Sequence, residues 1–223
     1  MLMYDSETTQ HTSKNPLELP IDTLLLEYFD DKRTKFLGKD GFGGVDKNYK
    51  YFNGIFNREN TNMILHIHGS YKFIRLYEKT VKMTQEYARQ QYENGNFEVD
   101  FPVIIYNNPK IKQKIIERND VLSKYFEYFK DSLKHCSKFV IWGNSLRTDP
   151  HIVEAICQNF DKGKPLYIID INPDPVIKQL QNKCKEHGYG EFKNIKTLKD
   201  LGFNEPPKTK EELLGLFEKI IND

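Results

Sequence analysis

Residues 138–172 read KFVIWGNSLRTDPHIVEAICQNFDKGKPLYIIDIN and carry the clearest fold signal of the chain. Two apolar runs, at 138–142 and 166–171, predict short buried strands. Residues 150–160 lie between them and residues 175–187 follow them, and both segments have helical spacing. Strands and helices that alternate with short links are typical of βαβ units. The sequence therefore predicts an α/β fold with a parallel sheet flanked by helices.

Three helices carry start signals. Asp149-Pro150 and Asp174-Pro175 each place an acidic N-cap before a proline at the first helical position. Thr209 and Glu212 fit a capping box ahead of an apolar helical face. These signals predict where the helices begin.

Four further elements follow from apolar spacing: strands at 63–68 and 101–106, and helices at 110–118 and 122–133. The glycine-rich stretch 38–44 is predicted to be a loop. Residues 1–20 are polar and lack periodicity, so they are predicted to be a loose N-terminal arm. Residues 21–223 are then a single domain.

Composition excludes several classes of protein. Lysine plus arginine (33) nearly equals aspartate plus glutamate (32), so no basic footprint for nucleic acid is present. No apolar run is long enough to span a membrane, and the first residues do not resemble a signal peptide, which predicts a cytoplasmic protein. The three cysteines form no Cys-x-x-Cys pair, which argues against a structural zinc site, and Cys157 is predicted to be a core residue.

Polar or glycine residues follow three predicted strands: His68-Gly69-Ser70, Gly143-Asn144-Ser145 and Asp170-Ile171-Asn172. Ligands of open parallel sheets bind beyond the carboxyl ends of the strands, so these endings predict a nucleotide-type cleft. Glycine lets a ribose or phosphate approach the backbone, and the amide, hydroxyl and carboxylate groups can bond to ribose hydroxyls. The alternatives are an ordinary strand-to-helix turn at 143–146, and a turn with a helix cap at 172–174.

His68 admits three interpretations. Gly69 allows a ligand close beside it, which favours a catalytic or ligand-facing ring. His66 lies on the same face of the predicted strand, so the two rings could share a metal ion, although such a site needs further ligands. Both rings could instead be core histidines bonded to backbone groups.

These segments, taken in order, resemble the sirtuin-like fold over about residues 20–200. They are similar in particular to zinc-free bacterial domains of that family that cleave NAD, several of which act in anti-phage defence. The resemblance implies a Rossmann-like sheet, NAD as the cofactor and His68 as the catalytic base. It also implies that Gly143, Asn144 and Ser145 line the cofactor ribose and that Asn172 contacts the adenosine half. Gly69, Ser70 and Asp170, which also follow predicted strands, are further predicted cofactor-binding residues.

The chain departs from the family in its first part. The family has a glycine-rich phosphate loop near its start, whereas the first glycine here is Gly38, so the resemblance implies an N-terminally incomplete domain. The family has a Thr-x-Asn-x-Asp stretch that faces the nicotinamide, and residues 18–22 correspond to it. Asp22 is at the position of the family's aspartate and is therefore a further predicted cofactor-binding residue. Pro20 replaces the asparagine and has no side-chain amide. The open alternatives are that Gly38–Gly44 serves as the phosphate loop, and that a second copy or a partner chain completes the domain.

Three functions follow from these observations. The first is an NAD glycohydrolase of the defence type, in which His68 assists loss of nicotinamide. The second is a sirtuin-like module that binds NAD, ADP-ribose or a protein partner without turnover, which Pro20 and the missing loop favour. A metal-dependent hydrolase that uses His66 and His68 is third. Lysine deacylation ranks behind NAD hydrolysis, because the zinc cysteines of deacylating sirtuins are missing.

Overall fold

The computed structural model describes residues 2–4, 40–54, 65–70, 72–95, 103, 105 and 108–223. Contacts divide them into two compact units, one drawn from residues 1–35 and 130–223 and the other from residues 36–129. Each unit has its own sheet, and we call them the parallel unit and the antiparallel unit. The single domain over 21–223 stays a prediction.

The parallel unit contains a four-stranded sheet in the order β1-β6-β7-β8, with all neighbours parallel. Its strands are β1 (Leu2–Tyr4), β6 (Phe139–Trp142), β7 (Leu166–Ile169) and β8 (Ile195–Thr197). Its helices are α4 (Pro150–Asn159), α5 (Asp174–Glu186) and α6 (Lys210–Asn222). The predicted α/β class and parallel sheet flanked by helices are confirmed.

Apolar residues cover both faces of this sheet. Val140, Tyr167 and Ile169 form a buried cluster with Leu216 and Ile220 of α6. Side chains alternate along a strand, so Phe139 points to the opposite face, where its ring lies 5.8 Å from that of Phe160 at the end of α4. Burying one such side chain stabilises the fold by about 1.5–3 kcal/mol. The predicted apolar strands and helix faces therefore form the core.

Two strands of this sheet were not predicted. Residues 1–20 were expected to be a loose arm, but Leu2–Tyr4 pairs in parallel with β6, with Leu2 opposite Val140. The rest of that arm lies outside the described residues. β8 was also missed, because three residues are too few to show an apolar period.

The antiparallel unit contains a second sheet in the order β2-β3-β5-β4. Its strands are β2 (Phe42–Val45), β3 (Tyr49–Phe52), β4 (Phe73–Leu76) and β5 (Lys79–Met83). The helices that follow in sequence are α1 (Gln85–Asn94), α2 (Pro109–Arg118) and α3 (Asp120–His135), and α3 runs past residue 129, the last of this unit. The predicted helices at 110–118 and 122–133 are confirmed.

Part of the glycine-rich stretch is a strand and not the predicted loop. Residues 42–45 pair with β3, and a bulge lies between Gly43 and Val45. A Cβ atom on Gly43 would lie 2.8 Å from Nδ2 of Asn53, so a larger residue here would make the end of the Asn53 side chain shift.

The predicted strand at 63–68 is a turn where it is described. Gly69 has a φ of +90°, and its N–H donates to the His66 carbonyl at 2.9 Å. The His68 carbonyl then accepts from the N–H of Ile105, and the N–H of Ser70 donates to Val103. The predicted strand therefore does not continue through residues 67–69, because glycine in a left-handed conformation bends the chain at this point.

The described part of the chain contains no helix with the length and apolar character needed to cross a bilayer.

Candidate functional site

Two predicted site segments leave the parallel sheet side by side. Trp142 and Ile169 are the last paired residues of β6 and β7, and the N–H of Gly143 donates to the Ile169 carbonyl at 3.0 Å. Residues 143–146 and 170–172 therefore start from neighbouring positions at one edge of the sheet, which we call the carboxyl edge. This is the part of an open parallel sheet where ligands bind.

The loop from Gly143 to Asp149 is held in one conformation. Gly143 and Leu146 both have positive φ, +59° and +55°, and the Leu146 side chain is fully buried. The Leu146 N–H donates to Asn144 Oδ1 at 2.7 Å, and its carbonyl accepts from Gln179 Nε2 at 2.9 Å. A leucine in this conformation costs on the order of 1–3 kcal/mol, so it persists only where its surroundings fix it. Such strain is typical of functional sites.

Several polar groups at the carboxyl edge are open to a ligand. Asn144 uses its carbonyl oxygen within the loop, whereas its amide nitrogen makes no hydrogen bond to the described residues. The exposed Ser145 hydroxyl and Asn172 carboxamide likewise have no partner in this part of the chain. One Asp170 oxygen accepts from the N–H of Asn172 at 2.9 Å. The edge therefore offers an amide donor, a hydroxyl, a carboxylate and a second amide.

Asp149 does not cap α4 with its side chain, contrary to the sequence prediction. It occupies the N-cap position before Pro150, but its carboxylate makes no capping hydrogen bond. A carboxylate oxygen of Asp149 instead lies within 4.8 Å of a ring nitrogen of His151. Both residues are buried, with 3% and 4% of their surface exposed. Nothing in the sequence indicates this pair, because capping alone explains an Asp-Pro before a helix.

The second predicted cap is also wrong. The N-cap of α5 is Pro173, and Asp174 is the first helical residue. An acidic residue in the first turn still favours the helix through its dipole, so the same sequence signal fits either position. The capping box of Thr209 and Glu212 on α6 is confirmed, because both of its reciprocal bonds are present.

His68 belongs to the antiparallel unit and is half-buried in the turn described above. His66 packs edge-on against Phe73, with ring centroids 5.5 Å apart, so the core interpretation fits His66. Ser70 accepts a hydrogen bond from the N–H of Lys72 through its hydroxyl, which belongs to the turn. Asp22 lies outside the described residues.

The metal alternative required two imidazoles on one face of a strand. The backbone at 65–70 is a turn, so this condition is not met.

The other reactive side chains are in the core. Cys157 is buried, as predicted, and burial raises the pKa of its thiol, as it does for Cys184. Burial also raises the pKa of Tyr125, whose hydroxyl donates to the Asp40 carbonyl at 2.6 Å. A raised pKa keeps these groups protonated at neutral pH, so they are poor nucleophiles.

Comparisons of the chain with protein-family models, with curated proteins and with solved structures gave no match. Functional assignment therefore depends on the geometry of the carboxyl edge.

Proposed function

We propose that the carboxyl edge binds NAD, and that the protein hydrolyses NAD to nicotinamide and ADP-ribose as a Rossmann-like, sirtuin-like enzyme. The observation that carries this proposal is the pair of neighbouring strands that end in register, followed by a rigid loop and open hydrogen-bonding groups. Such an edge suits a ligand that has both a phosphate backbone and ribose hydroxyls.

Each group at the edge has a role in this proposal. Gly143 allows the ribose to approach the backbone, and Asn144 and Ser145 donate to its oxygens. The carboxylate of Asp170 accepts from ribose hydroxyls, and Asn172 contacts the adenosine half. These roles use groups that the described fold leaves open.

Hydrolysis breaks the bond between the ribose C1′ and the nicotinamide nitrogen, and the electron pair leaves with nicotinamide. A water oxygen bonds to C1′ and its proton passes to a base. His68 is the residue predicted to position or deprotonate the ribose or the attacking water. General-base assistance contributes about a hundred- to ten-thousand-fold in rate.

Binding without turnover is the second candidate function. The open amides and hydroxyls at the edge favour this function. These groups can form hydrogen bonds to a nucleotide, but they do not accept a proton at neutral pH and so cannot act as the base that hydrolysis needs. In this case ADP-ribose, NAD or a protein partner would be the natural ligand.

Chromatographic measurement of nicotinamide released from NAD by the full chain tests the proposal. We expect turnover in the natural protein, a loss of about a hundredfold or more in His68→Ala, and no change in His135→Ala. His135 is a suitable control because it is exposed at the end of α3.

Two other outcomes separate the candidates. Heat on adding ADP-ribose without nicotinamide release supports the binding module. If ADP-ribose produces no heat and NAD releases no nicotinamide, both functions are contradicted.

A further inference from the structure

We infer that Asp149 and His151 form the proton-transfer pair of the carboxyl edge. His151 takes the proton of the attacking water, and Asp149 positions the His151 ring. This inference rests on the proposed function and names a further catalytic residue for it. The role of His68 is tested separately by the experiment above.

The position of the pair supports this role. Asp149 is the last residue of the strained loop, and its N–H donates to the Leu146 carbonyl at 3.1 Å. His151 is the second residue of α4, so two fixed elements hold the two side chains. A catalytic base has to be held close to its working geometry by rigid elements.

The Asp149 carboxylate is used differently from the other turn aspartates of this unit. The carboxylates of Asp161, Asp170 and Asp200 each accept from a backbone N–H within three residues, at 2.7–2.9 Å. Asp149 stands where this bond is most favoured, at a helix N-cap, yet its side chain does not make it. Its carboxylate lies within 4.8 Å of the His151 ring instead.

A carboxylate beside an imidazole is the arrangement that makes histidine an effective base. The carboxylate fixes the orientation of the ring and stabilises the imidazolium that forms. As the C1′–nitrogen bond breaks and the water oxygen bonds to C1′, the water proton passes to His151. It leaves to solvent after ADP-ribose departs, so no oxidant or further reactant is needed.

Steady-state kinetics of nicotinamide release by the full chain tests the pair. We expect His151→Ala to lower kcat by about a hundred- to ten-thousand-fold, with KM and ADP-ribose affinity unchanged. Asp149→Asn lowers kcat by a smaller factor, and added imidazole restores part of the His151→Ala activity. Asp161→Asn is the matched control, because Asp161 is a turn aspartate of the same unit whose carboxylate accepts from a backbone N–H. Its kcat is expected to equal that of the natural protein.

The outcomes distinguish this inference from the proposed function. If the natural protein releases no nicotinamide, the proposed function fails and the role of the pair fails with it. If the natural protein is active and both His151→Ala and Asp149→Asn keep its kcat, only the pair is excluded.

A third variant covers loss of folding. If His151→Ala does not fold, His151→Gln replaces it, because glutamine keeps a polar side chain that accepts no proton at neutral pH. A kcat of His151→Gln equal to that of the natural protein overturns the inference. Tightly bound transition metal that both variants lose would also overturn it.

Discussion

The two units of this chain place their polar groups in opposite locations. In the parallel unit β7 is buried at all four positions and β6 at three of four, and the open polar groups lie beyond the strand ends. In the antiparallel unit β4 and β5 each contain both buried and exposed residues, and a buried polar network lies around Thr80 and Asn119. The difference indicates that polar groups stabilise the antiparallel unit, whereas those at the carboxyl edge are available to a ligand.

The network in the antiparallel unit centres on Asn119. This buried residue accepts from the N–H groups of Val121 and Leu122 at 3.0 and 2.9 Å, which caps α3. It also donates to the Thr80 hydroxyl of β5 at 3.1 Å. One side chain therefore joins a helix start to the sheet.

Asn119→Ala is expected to lower the free energy of unfolding by about 2 kcal/mol, because it removes a cap and leaves a buried hydroxyl short of a donor. Urea unfolding with an unchanged m-value measures this loss. Asn108→Ala is the matched control: Asn108 is the N-cap of α2, is exposed and makes no side-chain capping bond. Its effect should stay within about 0.5 kcal/mol. Equal losses in the two variants would contradict the internal role of the network.

A smaller effect is expected from the surface polar cluster of the parallel unit. Burial alone would raise the pKa of Glu154, but hydrogen bonds from Lys183 and Tyr189 outweigh it and hold that pKa below its ordinary value. A lowered pKa in the folded state contributes stability above the ordinary value near 4.5, and this contribution is lost as the pH falls through the folded-state pKa.

Glu154→Gln is therefore expected to cost about 0.5–1 kcal/mol at pH 7, and almost nothing in strong acid. Urea unfolding at the two pH values measures both quantities, and Glu191→Gln, at an exposed position, is the control. A cost that persists unchanged at low pH would show that packing, and not charge, is responsible.

The same comparison explains how much of the fold could be predicted. Two strands were predicted from the continuous apolar runs at 139–142 and 166–169. A helix was predicted from the spacing of Leu122, Tyr125 and Phe129. Both predictions were possible because each signal lies within one element. The β4–β5 hairpin was missed, because its turn residues Tyr77 and Glu78 have φ of +47° and +66° without glycine or asparagine. β1 was missed because its partner, β6, is distant in sequence.

The candidate site was predictable where it lies at strand ends. Gly143, Asn144, Ser145, Asp170 and Asn172 follow apolar runs, and the parallel pairing of β6 with β7 brings them to one edge. The Asp149–His151 pair was not predictable, because capping explains Asp149 in the sequence and only the folded geometry shows that its carboxylate is not used there.

The central claim is that a nucleotide binds at the carboxyl edge, and the two ends of β6 provide its most direct test. Ser145 follows the carboxyl end of the strand, whereas Ser137 lies before its amino end and is also exposed. Calorimetry of ADP-ribose binding to the full chain should show binding by the natural protein and by Ser137→Ala. Ser145→Ala should bind about two- to tenfold more weakly, as expected for one lost hydrogen bond. Absence of binding by the natural protein, or equal affinity in both variants, would contradict the claim.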